Sequence, residues 1–142
     1  LEIMRKAQDD GLVLELLNSV KPAGMCTCCE DCCGYLNNVK KFTRPSEFIP
    51  SSYYVQVDPG SCTSCETCVN ICPMGARSTR NDVSVVDTER CIGCGVCVPA
   101  CPSSANKLIK KEKTVVPAKD ITAMYMQILD NKIHAKKVAE HH

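Results

Sequence analysis

The spacing of apolar and polar positions outlines elements at both ends of the chain. In residues 1–10, Ile3, Met4 and Ala7 share one face at helical spacing and Gly11 follows as a C-terminal cap, so a helix is predicted there. Residues 12–17 read as a strand, 19–24 with Pro22 as a turn, and 35–42 as a short helix. Pro45 and Pro50 mark 43–52 as a linker. Near the other end Asp120 can cap a helix running to about Val138, because Ile121, Met124, Tyr125, Ile128, Leu129 and Ile133 recur at spacings of three and four. This stripe is expected to pack on a sheet of the same chain, the alternative being a docking face for a partner. His134 is expected to be a surface side chain, and His141-His142 read as a tag remnant.

Composition narrows the classes. With 44% hydrophobic and 23% charged residues among 142, the chain is neither membrane-embedded nor disordered. No run approaches the roughly 20 apolar residues of a membrane span, and the best, Gly11-Leu-Val-Leu, is broken by Glu15. No leader pattern is visible, and the start at Leu1 reads as that of a fragment or processed product. Residues 1–105 carry a net charge of −3 and residues 106–142 a net +4, a balance that predicts no nucleic-acid partner. Lys107, Lys110, Lys111 and Lys113 cluster without interleaved aromatics and read as a solvated edge. Four Tyr, two Phe and no Trp leave a thin organic core for this length, which points to stabilisation by metal or disulfides, and there are 13 Cys.

Eight of those cysteines belong to an internal repeat. Val57-Asp58-x3-Cys62-x2-Cys65-x2-Cys68-x3-Cys72-Pro73-x2-Ala76 recurs as Val86-Asp87-x3-Cys91-x2-Cys94-x2-Cys97-x3-Cys101-Pro102-x2-Ala105, offset by 29 residues at every matched position. A four-iron cube needs one thiolate per iron. Three thiolates two residues apart can wrap one face from a single loop, and in this run the fourth Cys, before Pro, ligates the other cluster. The assignment is therefore Cys62, Cys65, Cys68 and Cys101 to one [4Fe-4S] cluster, and Cys91, Cys94, Cys97 and Cys72 to the other. Disulfides would not require this double periodicity, and zinc sites favour two Cys-x2-Cys pairs across a longer spacer.

On these motifs, residues 53–111 resemble a bacterial-type ferredoxin with two [4Fe-4S] clusters. The resemblance implies an α+β fold, a pseudo-twofold β-α-β-β-α-β arrangement. It implies a strand over 53–57, a short helix after Pro73, a hairpin around Asn81-Asp82 with Val83, Val85 and Val86 on its second strand, and a closing strand over 106–109. The second loop, with Gly93 and Gly95, has the apolar form usual in the family. The first departs from it with Thr63, Ser64, Glu66 and Thr67, and Ser103-Ser104 follow the second Cys-Pro. Hydrogen bonds to cluster sulfur raise reduction potential and a nearby carboxylate lowers it, so the two clusters are expected to differ in potential, with the order left open.

Five further cysteines, Cys26, Cys28, Cys29, Cys32 and Cys33, precede the repeat. Cys26, Cys29 and Cys32 repeat the triplet spacing, with Cys28 and Cys33 as candidate fourth ligands. A third iron–sulfur cluster, a structural zinc, and a redox-active or substrate-binding thiol set are the open readings, inert buried thiols being disfavoured by their oxidation liability. The run is distantly similar to the Cys-Cys-Gly elements of heterodisulfide reductases, without their downstream Cys-x2-Cys. It more closely resembles ferredoxin-like proteins of anaerobes that order a Gly-Leu-Val strand, a Cys-rich stretch and two cluster motifs, at the C-terminal end of longer chains.

The expected organisation is a Cys-rich segment over 1–50, a dicluster domain over 51–113 and a C-terminal amphipathic helix within 114–142. The expected function is electron transfer, as a ferredoxin or as a module of a larger oxidoreductase, with redox proteins as partners, no membrane insertion and an anaerobe's cytoplasm as location. No catalytic triad, phosphate loop or nucleotide fingerprint is present, so an electron carrier or subunit is expected rather than an independent enzyme. The alternatives are an oxidoreductase subunit whose chemistry sits at 26–33, and the redox module of a regulator or reductive activator. Oligomeric state is not readable from the sequence.

Overall fold

Helix α1 (Glu2–Asp9) stops where the sequence supplies a residue able to turn left-handed. Gly11, at φ +74°, lets its own N–H reach the Gln8 carbonyl at 3.0 Å and the Leu12 N–H reach Ala7 at 2.8 Å, satisfying carbonyls that the helix end leaves free. Ala7 is buried, whereas Ile3 of the same predicted face is exposed. The computed structural model describes residues 1–49, 51–114 and 116–139, those from 133 onward through the backbone of their helix. The readings of the Ile133 and His134 side chains and of His141-His142 lie outside the described residues.

Strand β1 (Val13–Leu16) pairs with β2 (Met25–Cys28), so the cysteine run begins in a strand that its sequence did not announce. Helix α2 (Gly34–Lys40) follows, with Cys33 as its N-cap: the Leu36 N–H donates to Cys33 Sγ at 3.5 Å. Leu36 and Val39 bury the inner face.

Residues 44–47, within the stretch read as a linker, are anchored. Pro45 opens a short 3-10 turn (Pro45–Glu47) and is fully buried. The Ser46 N–H donates to the Glu89 carbonyl at 3.0 Å, and Arg44 pairs with Glu47 at 2.9 Å and Glu89 at 3.0 Å. Pro45 serves packing, which composition alone does not reveal.

In the repeat, β3 (Tyr53–Val57) runs antiparallel to β6 (Asn106–Lys110), from Tyr53 opposite Lys110 to Val57 opposite Asn106. Strand β4 (Arg77–Arg80) pairs with β5 (Val83–Val86) through a two-residue turn in which Asn81 and Asp82 both have positive φ, as tight hairpins require. The short helix falls before Cys72-Pro73, as α3 (Thr67–Asn70), and not after Pro73 as expected. Past Pro73 the chain turns at Gly75, φ +58°, directly into β4, and the Ala76 carbonyl is taken by the Asp87 N–H. Among the described residues the fold is a small mixed α/β one, with four α-helices and three two-stranded sheets.

The core joins Val13, Leu36, Val39, Val55, Met74, Ala76, Ile92 and Val96 to Cys68, Cys91 and Cys97, so thiols fill space that aromatics would usually occupy. Arg90 knits this core. Its Nε and Nη2 donate to the Met74 carbonyl at 2.9 and 2.7 Å, Nη2 also to Lys40 at 3.1 Å, and Nη1 to Phe42 at 3.2 Å.

The chain divides into two compact units. One is Leu1–Glu15 with Cys26–Val115, and the other is Leu16–Met25 with Val116–His142. In the second, Ser19 bridges Ala118, and Asp120 Oδ1 accepts the Ala123 N–H at 2.9 Å, capping α4 (Ile121–Ala139) as the sequence predicted. Of the stripe predicted on this helix, Ile121 and Met124 are half-buried and Tyr125, Ile128 and Leu129 are exposed. No described helix is long and apolar enough to cross a membrane.

Candidate metal centres

Two cavities lie in the repeat. One, of about 300 Å³ including its mouth, is lined by Cys62, Cys65, Cys68 and Cys101, with Ser84 and Asn106 beside them. The other, of about 350 Å³, is lined by Cys72, Cys91, Cys94 and Cys97, with Val55 and Met74. The structure thus brings together the two groups of four that the repeat singled out, each with three thiols from one loop and the fourth from the other half. The backbone makes the same exchange: the Asp58 N–H donates to the Ala105 carbonyl at 2.9 Å, and the Asp87 N–H to Ala76 at 2.8 Å. Adding 29 to Asp58 and Ala76 gives Asp87 and Ala105, so each half holds the other's return strand.

The loops share their left-handed positions as well. Ser64, Glu66 and Ser104 have φ of 55°, 60° and 55°, while at the repeat-equivalent places Gly93, Gly95 and Gly75 have 65°, 78° and 58°. A side chain in this region costs about 1–2 kcal/mol, a cost borne by a different residue in each pair. At Gly93 glycine is also required by space, since a Cβ would land on the Tyr53 carbonyl oxygen and within 2.6 Å of Ser51 Oγ.

The electrostatics of the cavities differ. At the first, Cys68 Sγ hydrogen-bonds Ser84 Oγ at 3.1 Å and accepts from Arg77 Nη2 at 3.2 Å, and the Ser84 N–H donates to Cys62 Sγ at 3.5 Å. Cys65 Sγ meets Thr67 Oγ1 at 3.4 Å, and Cys101 Sγ meets Ser103 Oγ at 3.6 Å. Burial pushes the Cys68 thiol up, but the bonds from Ser84 and Arg77 and the guanidinium charge carry it below its ordinary value. Burial likewise opposes the Ser103 hydroxyl and backbone N–H groups at Cys101, and the thiol again ends lower. Hydrogen bonding to Thr67 lowers Cys65. At the second cavity burial prevails, pushing Cys94 up to about 11 and Cys97 up to about 12. The Ala76 N–H donates to Cys72 Sγ there at 3.3 Å.

Arg77, Ser84 and Asn106 were not singled out by the sequence reading. Arg77 Nη2 donates to Ser84 Oγ at 3.0 Å and Asn106 Oδ1 at 2.7 Å, and Asn106 Nδ2 donates to the Cys97 carbonyl at 2.9 Å. The signal that could have found the pair is the offset itself, because 77 and 106 are also 29 apart, each directly after the Cys-Pro-x2-Ala motif.

The upstream cysteines line neither of these two cavities. Cys26 and Cys32 are exposed, Cys28, Cys29 and Cys33 half-buried, and all thirteen cysteines of the chain are free. Burial and the neighbouring Cys33 thiol push Cys28 up to about 12, while the Cys32 side chain lowers Cys29 and the Cys29 side chain raises Cys32. Among the described residues, no set of three or more His, Cys, Asp or Glu side chains is drawn together to hold a single metal ion, in this segment or in the repeat.

No curated protein matches the chain. Residues 61–108, about one third of its length, match the family model of the 4Fe-4S dicluster domain. That stretch contains both cysteine triplets and both Cys-Pro cysteines, and its match supports iron–sulfur binding and electron transfer in general. Residues 61–108 of this chain therefore match a 4Fe-4S dicluster domain and fit a ferredoxin-type one.

Proposed function

We propose that the domain binds two [4Fe-4S] clusters in a pseudo-twofold arrangement, one on Cys62, Cys65, Cys68 and Cys101 and one on Cys91, Cys94, Cys97 and Cys72, and that it carries electrons between redox proteins. The observation that carries this reading is the lining of each cavity by four thiols in a crossed three-plus-one set. The donor set fits the group, since four thiols can supply one ligand to each of four irons. When bound, such clusters supply one-electron redox change. The chain's own residues ligate them, donate hydrogen bonds to sulfur and exclude water from the apolar second cavity.

Cluster binding would add negative charge to a region that already carries net −3 over residues 1–105, which suits docking to a basic patch on a redox partner. Thirteen free thiols suit a reducing, cytoplasmic and anaerobic setting. Whether the chain works alone as a ferredoxin or as part of a larger oxidoreductase depends on what accepts its electrons.

A second reading is favoured by the dense run of free thiols at 26–33, in which Cys28 neighbours Cys33 and Cys29 neighbours Cys32. There a dithiol–disulfide couple, taking two electrons and two protons per disulfide reduced, would make the segment a redox centre fed by the clusters. A third cluster or a zinc on these five cysteines are the competing occupants.

One assay separates these readings: iron, acid-labile sulfide, zinc and free thiol per chain, on protein purified without oxygen. About eight iron and eight sulfide is the expected result. Five additional free thiols, two pairs of which oxidise reversibly, favour the dithiol centre, whereas about twelve iron or one zinc assigns the segment to metal. Fewer than about four iron overturns the proposal.

A further inference from the structure

The repeat buries one positive charge between its two cavities. Arg77 is only 6% exposed, and a guanidinium stays protonated in proteins. Among the described residues none of the ion pairs includes it, and no carboxylate accepts from it. Its Nη2 meets Cys68 Sγ, Ser84 Oγ and Asn106 Oδ1, while its Nε and Nη1 are buried without any hydrogen-bond partner. A buried cation with two idle donors is costly unless a counter-charge lies close. The position of the side chain says where that charge belongs. Arg77 lines the Cys72, Cys91, Cys94 and Cys97 cavity while donating to a thiol of the Cys62, Cys65, Cys68 and Cys101 cavity. Its hydrogen-bond partner Asn106 is its own repeat equivalent and lines the first cavity.

We propose that Arg77, held by Ser84 and Asn106, is a positioning residue that sets the reduction potentials of the two clusters. It would raise both, the one ligated by Cys68 more. The argument is electrostatic. Reduction adds negative charge to a thiolate-ligated cluster, a fixed cation nearby favours the reduced form, and low-polarity surroundings weaken the screening. Direct donation to Cys68 Sγ acts in the same sense at that cluster. Anionic clusters on either side are in turn what offset the buried guanidinium. The inference rests on the proposed function.

The test is a dithionite titration of the anaerobically purified full chain, followed by electron paramagnetic resonance, for the wild type, Arg77→Gln and Arg77→Lys. The signal that Cys65→Ser alters is assigned to the Cys68 cluster. With iron content matched, Arg77→Gln is expected to move both potentials to more negative values, with the larger shift at the Cys68 cluster. Arg77→Lys, which keeps the charge and loses the fork, is expected to recover most of the shift at the other cluster and less at the Cys68 cluster. Unchanged potentials in Arg77→Gln, or a shift confined to the cluster without Cys68, would overturn the inference. Should Arg77→Gln fail to hold iron, Arg77→Lys decides, because it keeps the charge and removes the fork that donates to Cys68 Sγ. A negative shift larger at the Cys68 cluster than at the other then supports the assignment, and no shift refutes it. A wild-type chain without clusters fails the proposed function itself, whereas a loaded chain indifferent to Arg77 fails only this inference.

Discussion

The loop at 62–68 and the loop at 91–97 trace one backbone with two chemistries. Ser64 and Glu66 hold the left-handed positions that Gly93 and Gly95 hold in the other copy. The first loop surrounds its thiols with Ser84, Thr67, Ser103 and the Arg77 guanidinium; the second surrounds them with Val55, Met74, Ile92 and Val96. The first thus lowers Cys65, Cys68 and Cys101, and the second raises Cys94 and Cys97 by burial. The two are also anchored differently. Before Cys91, Arg90 reaches three carbonyls contributed by Met74, Lys40 and Phe42, whereas its counterpart before Cys62, Ser61, bonds only locally, to Asp58 Oδ2 at 2.6 Å. Spacing alone specifies where ligands stand, and the side chains between them decide how each site is held and tuned.

The largest expected effect tests whether the halves exchange ligands. Cys72→Ala should cost the cluster of the 91–97 loop and Cys101→Ala that of the 62–68 loop, each removing about half of the iron. The converse pattern in the resonance spectra would break the crossed assignment. Next comes the close approach at position 93. Gly93→Ala should destabilise the protein by about 3 kcal/mol, combining left-handed strain with overpacking against the Tyr53 carbonyl. Ser64→Gly at the matching site should instead gain up to about 1 kcal/mol. Denaturant midpoints of the loaded proteins, followed through visible absorbance, should move in opposite directions, and a common direction would mean the loops are not equivalent.

Arg90→Ala should lower the same midpoint by about 2 kcal/mol, since hydrogen bonds from a charged donor are lost and three carbonyls are left short of a partner. Ser61→Ala should do much less. The smallest effect concerns pH. The Ser61 hydroxyl and the Gly60 N–H hold the Asp58 carboxyl below its ordinary value of 3.8. Its contribution to stability is therefore complete above that value and is lost as pH falls through the depressed one. Asp58→Asn should make the acid limb of the stability profile slightly shallower, and an unchanged limb would show that the turn is indifferent to this charge.

Much of the domain was legible because it is written twice. The offset of 29 marked the eight cysteines, and Asn81-Asp82 marked the hairpin, since both are local signals. What escaped depends on contacts far apart in sequence. Pro45 looked like linker punctuation, yet it is buried beside a segment tied to Glu89. The left-handed Ser64, Glu66 and Ser104 could not be told from ordinary polar loop residues, because tertiary context holds them there against their own preference. Arg77 reads as an unremarkable strand residue until Ser84 and Asn106 are seen around its guanidinium. Met25–Cys28 is a strand because β1 lies beside it, and nothing in its composition says so.

The proposed exchange of the fourth cysteine would also order events in time. As the chain is synthesised, the 62–68 triplet emerges early but waits for Cys101, while Cys72 waits for the loop that ends at Cys97. The two groups of four are completed within four residues of one another, at the close of the repeat. On the proposed crossed assignment, a ribosome stalled before Cys97 would present six thiols of the repeat and no finished set, so iron delivery to this protein would belong after translation of the whole repeat.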